Sequence, residues 1–241
     1  MGPAGVAAAA QVFVSDLEAL SVTADDAHHL QHVLRLRPGE TVVASDGRGG
    51  WRTCRVVAPG PGGGAGPLEA DGPVHHEPRH GRLLTVAFVP VKGGRPEWVV
   101  QKLTEMGVDR IVAVSSQRAV VRWTGERRTG ALNRLRRVAR EAAAQSRQAW
   151  LPEVEAADGV DALASGLAPV AVALAQPGGP APGATLSAVA VGPEGGWDPS
   201  EVDGTYPLVG LGPTVLRAET AAVAAGVLLC GLRAGLVRPA T

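Results

Sequence analysis

Cysteine is scarce in this chain. Cys54 and Cys230 stand far apart, in neither a metal-type nor a redox-type spacing, which predicts two reduced, buried thiols in a cytoplasmic protein. Lysine is scarcer than arginine by far: Lys92 and Lys102 are the only two, and every other basic residue is Arg. Together with the many Ala and Gly, this reads as the codon bias of a GC-rich genome, so arginine abundance alone does not indicate nucleic-acid binding. No charge sign dominates either, with 23 basic against 23 acidic residues, so any basic surface must be local. No uninterrupted apolar run approaches the roughly 20 residues of a membrane-spanning helix. The opening MGPAGVAAAA lacks a charged leader segment and is expected to be a frayed terminus rather than a signal peptide. Finally, neither a GxxxxGK[ST] phosphate loop nor a GxGxxG fingerprint occurs. A ligand without phosphates is thus favoured over a phosphate-anchored nucleotide, and a nicotinamide dehydrogenase is disfavoured.

What is present divides into two rhythms. The first third carries short β-rich runs at Gln11–Val14, Glu40–Asp46, Trp51–Ala58 and Pro67–Val74, separated by Gly-rich turns, with one helix expected over Asp25–Leu34. This predicts a small β-barrel over residues 1–78, with His75–Arg82 as a polar linker. Over residues 79–241, strand-like runs at Leu83–Pro90, Arg110–Ser116, Pro169–Ala175, Leu186–Gly192 and Pro207–Gly212 alternate with helices. The helices are expected over Arg95–Val108, about Glu126–Arg147 and about Glu219–Leu232. That alternation predicts an α/β domain with a mostly parallel sheet.

Three of these strands end in unusual sequence: ALAQPGG, AVGPEGG and VGLGPTVLR. In open α/β sheets, ligands sit beyond the carboxyl ends of the strands. Glycine lets a backbone approach a ligand closely, and proline stiffens the bend. One such loop is an ordinary tight turn, but three at the ends of three strands point to a binding site.

GPEGGW (Gly192–Trp197) followed by LGPTVLRAETAA (Leu211–Ala222) resembles the RsmE family of ribosomal RNA methyltransferases, which methylate N3 of a uridine in 16S ribosomal RNA. The likeness extends to HHLQHVLRLRPGE (His28–Glu40), QKLTEMGVDRIVAVSSQRAV (Gln101–Val120) and REAAAQSRQAWLPEV (Arg140–Val154). The resemblance implies a PUA-like barrel followed by a SPOUT domain with a C-terminal trefoil knot, S-adenosylmethionine bound in the knot, and a homodimer. It implies cofactor contacts at Leu174 and Ala175, at Gly192, Pro193, Glu194, Gly195 and Gly196, and at Leu211, Gly212 and Leu216. One departure is Gln11, which stands where the family usually has a basic residue.

Deprotonating uridine N3 calls for a base, or for a cation that stabilises the anion. Arg217 is the expected cation, with Glu219 fixing it or the loop, and Glu194 is the second carboxylate candidate. As a first-turn carboxylate, Glu219 also has a purely structural use toward the helix dipole. For RNA, Arg35, Arg37, Arg118, Arg122, Arg136, Arg140 and Arg147 are the candidates, because Arg suits phosphate contacts. A solvated helix face explains those on the long helix, Arg136 and Arg140, equally well. Gln145, Ser146 and Arg147 match a family element expected at the active-site rim or dimer seam. Lys102 and Glu105 are expected to form a surface pair. The cluster His28, His29 and His32 has metal-like spacing but no evident fourth ligand, so no metal is expected. Two other readings stay open on sequence: a methyltransferase of the same fold acting on another RNA or atom, and an RNA-binding assembly factor with a silent cofactor site.

Overall fold

A computed structural model describes residues 2–21, 36–58, 68–93 and 95–238. The expected helix over Asp25–Leu34, with its three histidines and Arg35, lies outside the described residues, as does the Gly60–Gly66 loop. The chain forms two compact units, one made of Met1–His80 with Arg140–Leu151 and the other of Gly81–Ala139 with Pro152–Thr241.

The first unit is built on a five-stranded mixed sheet. Its strands are β1 (Ala10–Phe13), β2 (Thr41–Ser45), β3 (Gly50–Val56), β4 (Leu68–Ala70) and β5 (His75–His76). They run in the order β1-β2-β3-β4, with β5 also paired to β3 and β1 parallel to β2. Residues read from sequence as the start of a linker thus belong to a strand. Alternate residues fill a core of Ala10, Val12, Val42, Ala44 and Cys54. The return segment Arg140–Leu151 is hydrogen-bonded into this unit. The Ala149 carbonyl accepts from Ser45 Oγ at 3.2 Å and from the Gly49 amide at 3.1 Å. Trp150 Nε1 donates to the Glu77 carbonyl at 2.9 Å.

The second unit holds a six-stranded sheet in which every pairing is parallel. Its elements are β6 (Thr85–Phe88), α1 (Arg95–Glu105), β7 (Arg110–Val114), α2 (Gly125–Gln145), β8 (Glu153–Ala157), α3 (Val160–Leu167), β9 (Val172–Ala175), β10 (Ala188–Val191), β11 (Leu208–Val209) and α4 (Ala218–Arg233). The strand order is β11-β9-β10-β6-β7-β8. Both faces are covered, which is why these strands read as nearly continuous apolar runs. Val86, Phe88, Ile111, Val189 and Val191 meet α1, α2 and α4 on one face. Ala87, Val89, Val112, Val114 and Ala190 meet Val160 and Leu163 of α3 on the other. The parallel α/β architecture expected from sequence is present; β8 and α3 were not anticipated.

The last helix is fastened at its far end by a nearly buried ion pair. Arg233 binds Asp109, donates to the Gly107 carbonyl at 2.7 Å, and has 14% side-chain exposure against 10% for Asp109. The same carboxylate accepts from the Leu84 amide at 2.8 Å. Removing one partner of such a pair leaves a buried charge uncompensated, at a cost of about 3 kcal/mol. Arg233→Ala should therefore lower the urea midpoint by that equivalent. Val227→Ala, at a half-exposed position of the same helix, should change stability by about 0.5 kcal/mol or less.

Candidate active site

The carboxyl ends of the parallel strands share one edge of the sheet, and a cavity opens there. Ala175 ends β9 and Gln176 and Pro177 follow it, Gly192, Pro193, Glu194 and Gly196 follow β10, and Leu211, Gly212 and Leu216 follow β11; all of them line it. Val191, Trp197, Ala218 and Ala221 complete its apolar wall. The three loops singled out in the sequence thus converge on one site. Two expected residues stand apart from the lining. Leu174 is fully buried in the core beneath, and Gly195 faces open space.

Backbone contacts hold these loops together. The Gln176 amide donates to the Val209 carbonyl at 2.9 Å, and the Gly210 amide to the Pro180 carbonyl at 2.7 Å. Gly179 and Gly210 touch main chain to main chain: a Cβ on Gly210 would stand 2.3 Å from the Gly179 carbonyl oxygen. Only glycine fits there. Trp197 closes the floor, its Nε1 donating to the Ala175 carbonyl at 3.2 Å, and its indole lies where a Cβ on Gly192 would approach within 3.1 Å. Among the described residues, the amides of Leu211, Gly212 and Leu216 make no hydrogen bond within the protein, which leaves donors along an apolar wall.

Charge is confined to the rim. Glu194 is half exposed, while Glu219, in the first turn of α4, has 13% side-chain exposure. Its Oε2 is buried without a hydrogen-bond partner among the described residues. The expected partner of Glu219 was Arg217, but the structure places another guanidinium there. Arg95 Nη1 lies 3.5 Å from Glu219 Oε1 and 3.6 Å from Glu194 Oε1. Arg217 is exposed at the N-cap of α4 and makes no ion pair or hydrogen bond through its side chain among the described residues.

The sequence matches an RNA methyltransferase domain model over residues 78–229 and an RNA methyltransferase PUA domain model over residues 22–63. It is 36% identical to the ribosomal RNA small subunit methyltransferase E of Mycobacterium bovis, over 85% of this chain and 83% of that protein. The chain belongs to the ribosomal RNA small subunit methyltransferase E family. A crystal structure of a family member from Neisseria gonorrhoeae, bound to S-adenosyl methionine, has 25% identity and a TM-score of 0.74, covering 92% of this chain and 97% of that one. A probable rRNA methyltransferase from Porphyromonas gingivalis, also 25% identical, has a TM-score of 0.79 over 95% and 100% of the respective chains.

Most arginines proposed for RNA contact in this member of the family are engaged internally. Arg118 pairs with Asp198 at 3.3 Å and donates to the Gly195 carbonyl at 3.1 Å. The Asp198 carboxyl is held below its ordinary range, chiefly by hydrogen bonds from the Ser200 amide and hydroxyl, with Arg118 adding to them. Arg136 donates to the Val154 carbonyl at 3.1 Å. In the first unit, Arg140 donates to the Phe13 carbonyl at 2.6 Å and covers the Phe13 ring. Arg147 donates to the Ala8 carbonyl at 2.8 Å, and burial lowers its pKa. Ser146 Oγ donates to the Ala142 carbonyl. Gln11, where a basic residue was looked for, is buried and donates to the Gln148 carbonyl at 2.7 Å. Arg37 and Arg122 are exposed. Lys102 and Glu105 form the expected pair at 2.8 Å. Burial raises both thiol pKa values, so Cys54 and Cys230 stay protonated at neutral pH. No described helix is long and apolar enough to cross a membrane.

The glycine contact gives a direct test of how the site is held. Gly210→Ala drives a methyl group into main chain and should cost about 2–3 kcal/mol in thermal unfolding. Gly195→Ala, with nothing within 4 Å of the new methyl, should stay within about 0.5 kcal/mol of the native protein.

Proposed function

We propose that this protein is a cytoplasmic, S-adenosylmethionine-dependent methyltransferase that modifies N3 of a uridine in 16S ribosomal RNA within the small subunit. It would act as a homodimer, with the cofactor held in a C-terminal trefoil knot. The observation that carries the reading is the convergence of the GPEGG and LGPTVLRAET loops on one cavity at the carboxyl edge of a parallel sheet, in a chain of this family.

The cavity suits the cofactor. An adenosyl group needs an apolar slot and hydrogen-bond donors for its ring nitrogens. Val191, Leu211, Leu216 and Ala218 supply the first, and the amides of Leu211, Gly212 and Leu216, uncommitted among the described residues, would supply the second. Ala175, Gly192, Pro193, Glu194 and Gly196 would form the opposite wall. When bound, S-adenosylmethionine supplies a methyl group on a positively charged sulfur.

The protein's own task is to prepare the nucleotide. Uridine N3 is protonated at neutral pH and has no free lone pair for attack, so a group must take that proton. Glu219, whose Oε2 has no hydrogen-bond partner among the described residues, is the proposed acceptor, and Glu194 lies beside it at the rim. Arg217, exposed at the N-cap of α4, would meet a base carbonyl oxygen as negative charge develops. Arg37 and Arg122 keep exposed guanidinium groups for phosphate.

The test is methyl transfer from labelled S-adenosylmethionine to unmodified small ribosomal subunits, read by nucleoside mass spectrometry. The expected product is 3-methyluridine. A different labelled nucleoside would overturn the target and keep the cofactor. Loss of both label and calorimetric cofactor binding would overturn the enzymatic reading. Arg217→Ala should retain cofactor binding and lose about 10²-fold or more in kcat, the usual scale for one electrostatic donor to a developing anion.

A further inference from the structure

The loop after β10 continues beyond the cavity lining. GPEGGW runs on into Asp198, Pro199, Ser200 and Glu201, an Asp followed three residues later by a Glu, which is the pattern of a capping box. Both halves of that motif are formed. Asp198 accepts from the Ser200 amide at 3.1 Å and from its hydroxyl at 2.9 Å. Glu201 reaches back to accept from the Asp198 amide at 2.9 Å, and its own amide donates to the Asp198 carbonyl at 2.8 Å. The chain is thereby locked into a single turn directly behind Trp197.

A capping box uses its carboxylate for one amide. Here the same carboxylate does more. Glu201 Oε2 also accepts from Ser116 Oγ at 3.0 Å, and Oε1 accepts from the Gln117 amide at 3.2 Å. Ser116 and Gln117 belong to the loop after β7, and β6 separates β7 from β10 in the sheet. One side chain therefore joins two loops across an intervening strand. Ser116 is 8% exposed, so its hydroxyl has little access to water as a substitute partner. Ala119, Trp197 and Val202, from the same two loops, share one apolar cluster. Arg118 adds an exposed and weaker tie through the Gly195 carbonyl and Asp198.

What this junction holds is a wall of the cavity. The Trp197 indole is 5% exposed, covers Gly192 and donates to the Ala175 carbonyl. Asp198 is the next residue, so fixing its amide fixes the root of that indole. Without the Glu201 carboxylate, the Asp198 amide, the Gln117 amide and the Ser116 hydroxyl lose an acceptor together.

We infer that Glu201 is a positioning residue for the cofactor, tying the GPEGGW wall to the loop after β7 so that the cavity is formed before a ligand enters. This rests on the proposed binding of S-adenosylmethionine. A loop that is already ordered raises affinity, because binding no longer has to order it.

Two readouts test the role, both on the full chain. The first is calorimetric binding of S-adenosylmethionine well below the unfolding temperature. Glu201→Ala should raise Kd about tenfold, the factor expected when a buried hydrogen-bond donor is left unpaired. Glu201→Gln keeps one acceptor oxygen and should lie between native protein and Glu201→Ala. In methyl transfer the loss should appear in KM for the cofactor, with kcat at saturating cofactor within about threefold of native. The second readout is NMR hydrogen exchange of the Trp197 indole N–H, assigned by its loss in Trp197→Phe. It should exchange about tenfold faster in Glu201→Ala, while the Val86 amide in the core of the sheet keeps its native rate. A Kd within about twofold of native in folded Glu201→Ala would overturn the inference. So would a weaker Kd with unchanged Trp197 exchange, since Glu201 would then act other than through the loop. Equal acceleration at Trp197 and Val86 would also sink it, by reducing Glu201 to a general contributor to stability. If Glu201→Ala does not fold, Ser116→Ala and Glu201→Gln carry the same two readouts with smaller expected shifts. If native protein binds no S-adenosylmethionine, the proposed function fails, and the exchange rates still decide whether Glu201 holds the wall.

Discussion

The site depends on one contact between main chains. Gly179 and Gly210 approach so closely that neither tolerates a side chain. The reason is visible in the strands they follow. β11 is two residues long and lies at the sheet edge, too short to be held firmly by its own ladder with β9. The extra hydrogen bonds from Gln176 to Val209 and from Gly210 to Pro180 extend that pairing past the strand ends. They place the segment after β9 directly against the start of the β11 loop. Two walls of the cavity are thereby fixed to each other by backbone, before any side chain takes part. Trp197 brings in the third wall through its bond to Ala175 and its contact over Gly192.

A wall made this way is apolar and carries fixed donors, and it keeps ionised side chains away from the cavity floor. Charge appears only where the backbone lock ends, at Glu194, Glu219 and Arg95. The rest of the molecule uses charge conservatively. Arg52 donates to the Leu17 and Gly72 carbonyls and pairs with Glu18. Arg128 binds Asp158 and the Ala156 carbonyl. In an arginine-rich chain of zero formal net charge, guanidinium groups serve largely as hydrogen-bond ties between loops, a use to which a planar five-donor fork is better suited than an ammonium. Guanidinium groups that are exposed and have no side-chain partner among the described residues, such as Arg37, Arg122 and Arg217, therefore stand out more sharply than the sequence count implies.

Much of this was legible in the sequence where apolar runs and glycine-proline breaks carry the signal. The central strands of the parallel sheet read as buried runs because they are covered on both faces, and the three strand-end loops announced the cavity. The elements that escaped a sequence reading lack those signals. β8 alternates Glu153 and Glu155 with Val154 and Ala156, a pattern of a half-covered edge strand that is easily taken for loop. Arg140–Leu151 reads as the last turns of a long helix and a short loop, and nothing local shows that it is hydrogen-bonded into the first unit. Arg140 and Arg147 look like surface cations in sequence, because main-chain acceptors such as the Phe13 and Ala8 carbonyls leave no mark on composition. Arg95 was hidden for a similar reason: it lies about 100 residues from Glu194 in the chain, and only the strand order makes them neighbours.

That strand order also explains why a charged rim can be set as accurately as a backbone wall. β6 and β10 pair in register, Phe88 against Val191, so the loops leaving them begin level at the sheet edge. α4, which carries Glu219, packs on β6, β10 and α1, and its far end is pinned by Arg233 to Asp109. The three charges thus stand on elements whose mutual positions are settled by core packing and by a distant ion pair. A side chain as long as arginine, with several rotatable bonds, gains a defined place only when both its root and its acceptors are fixed. In this site the root is fixed by α1, one acceptor by α4 and the other by the GPEGG loop, whose own position is set by Trp197 and Gly192.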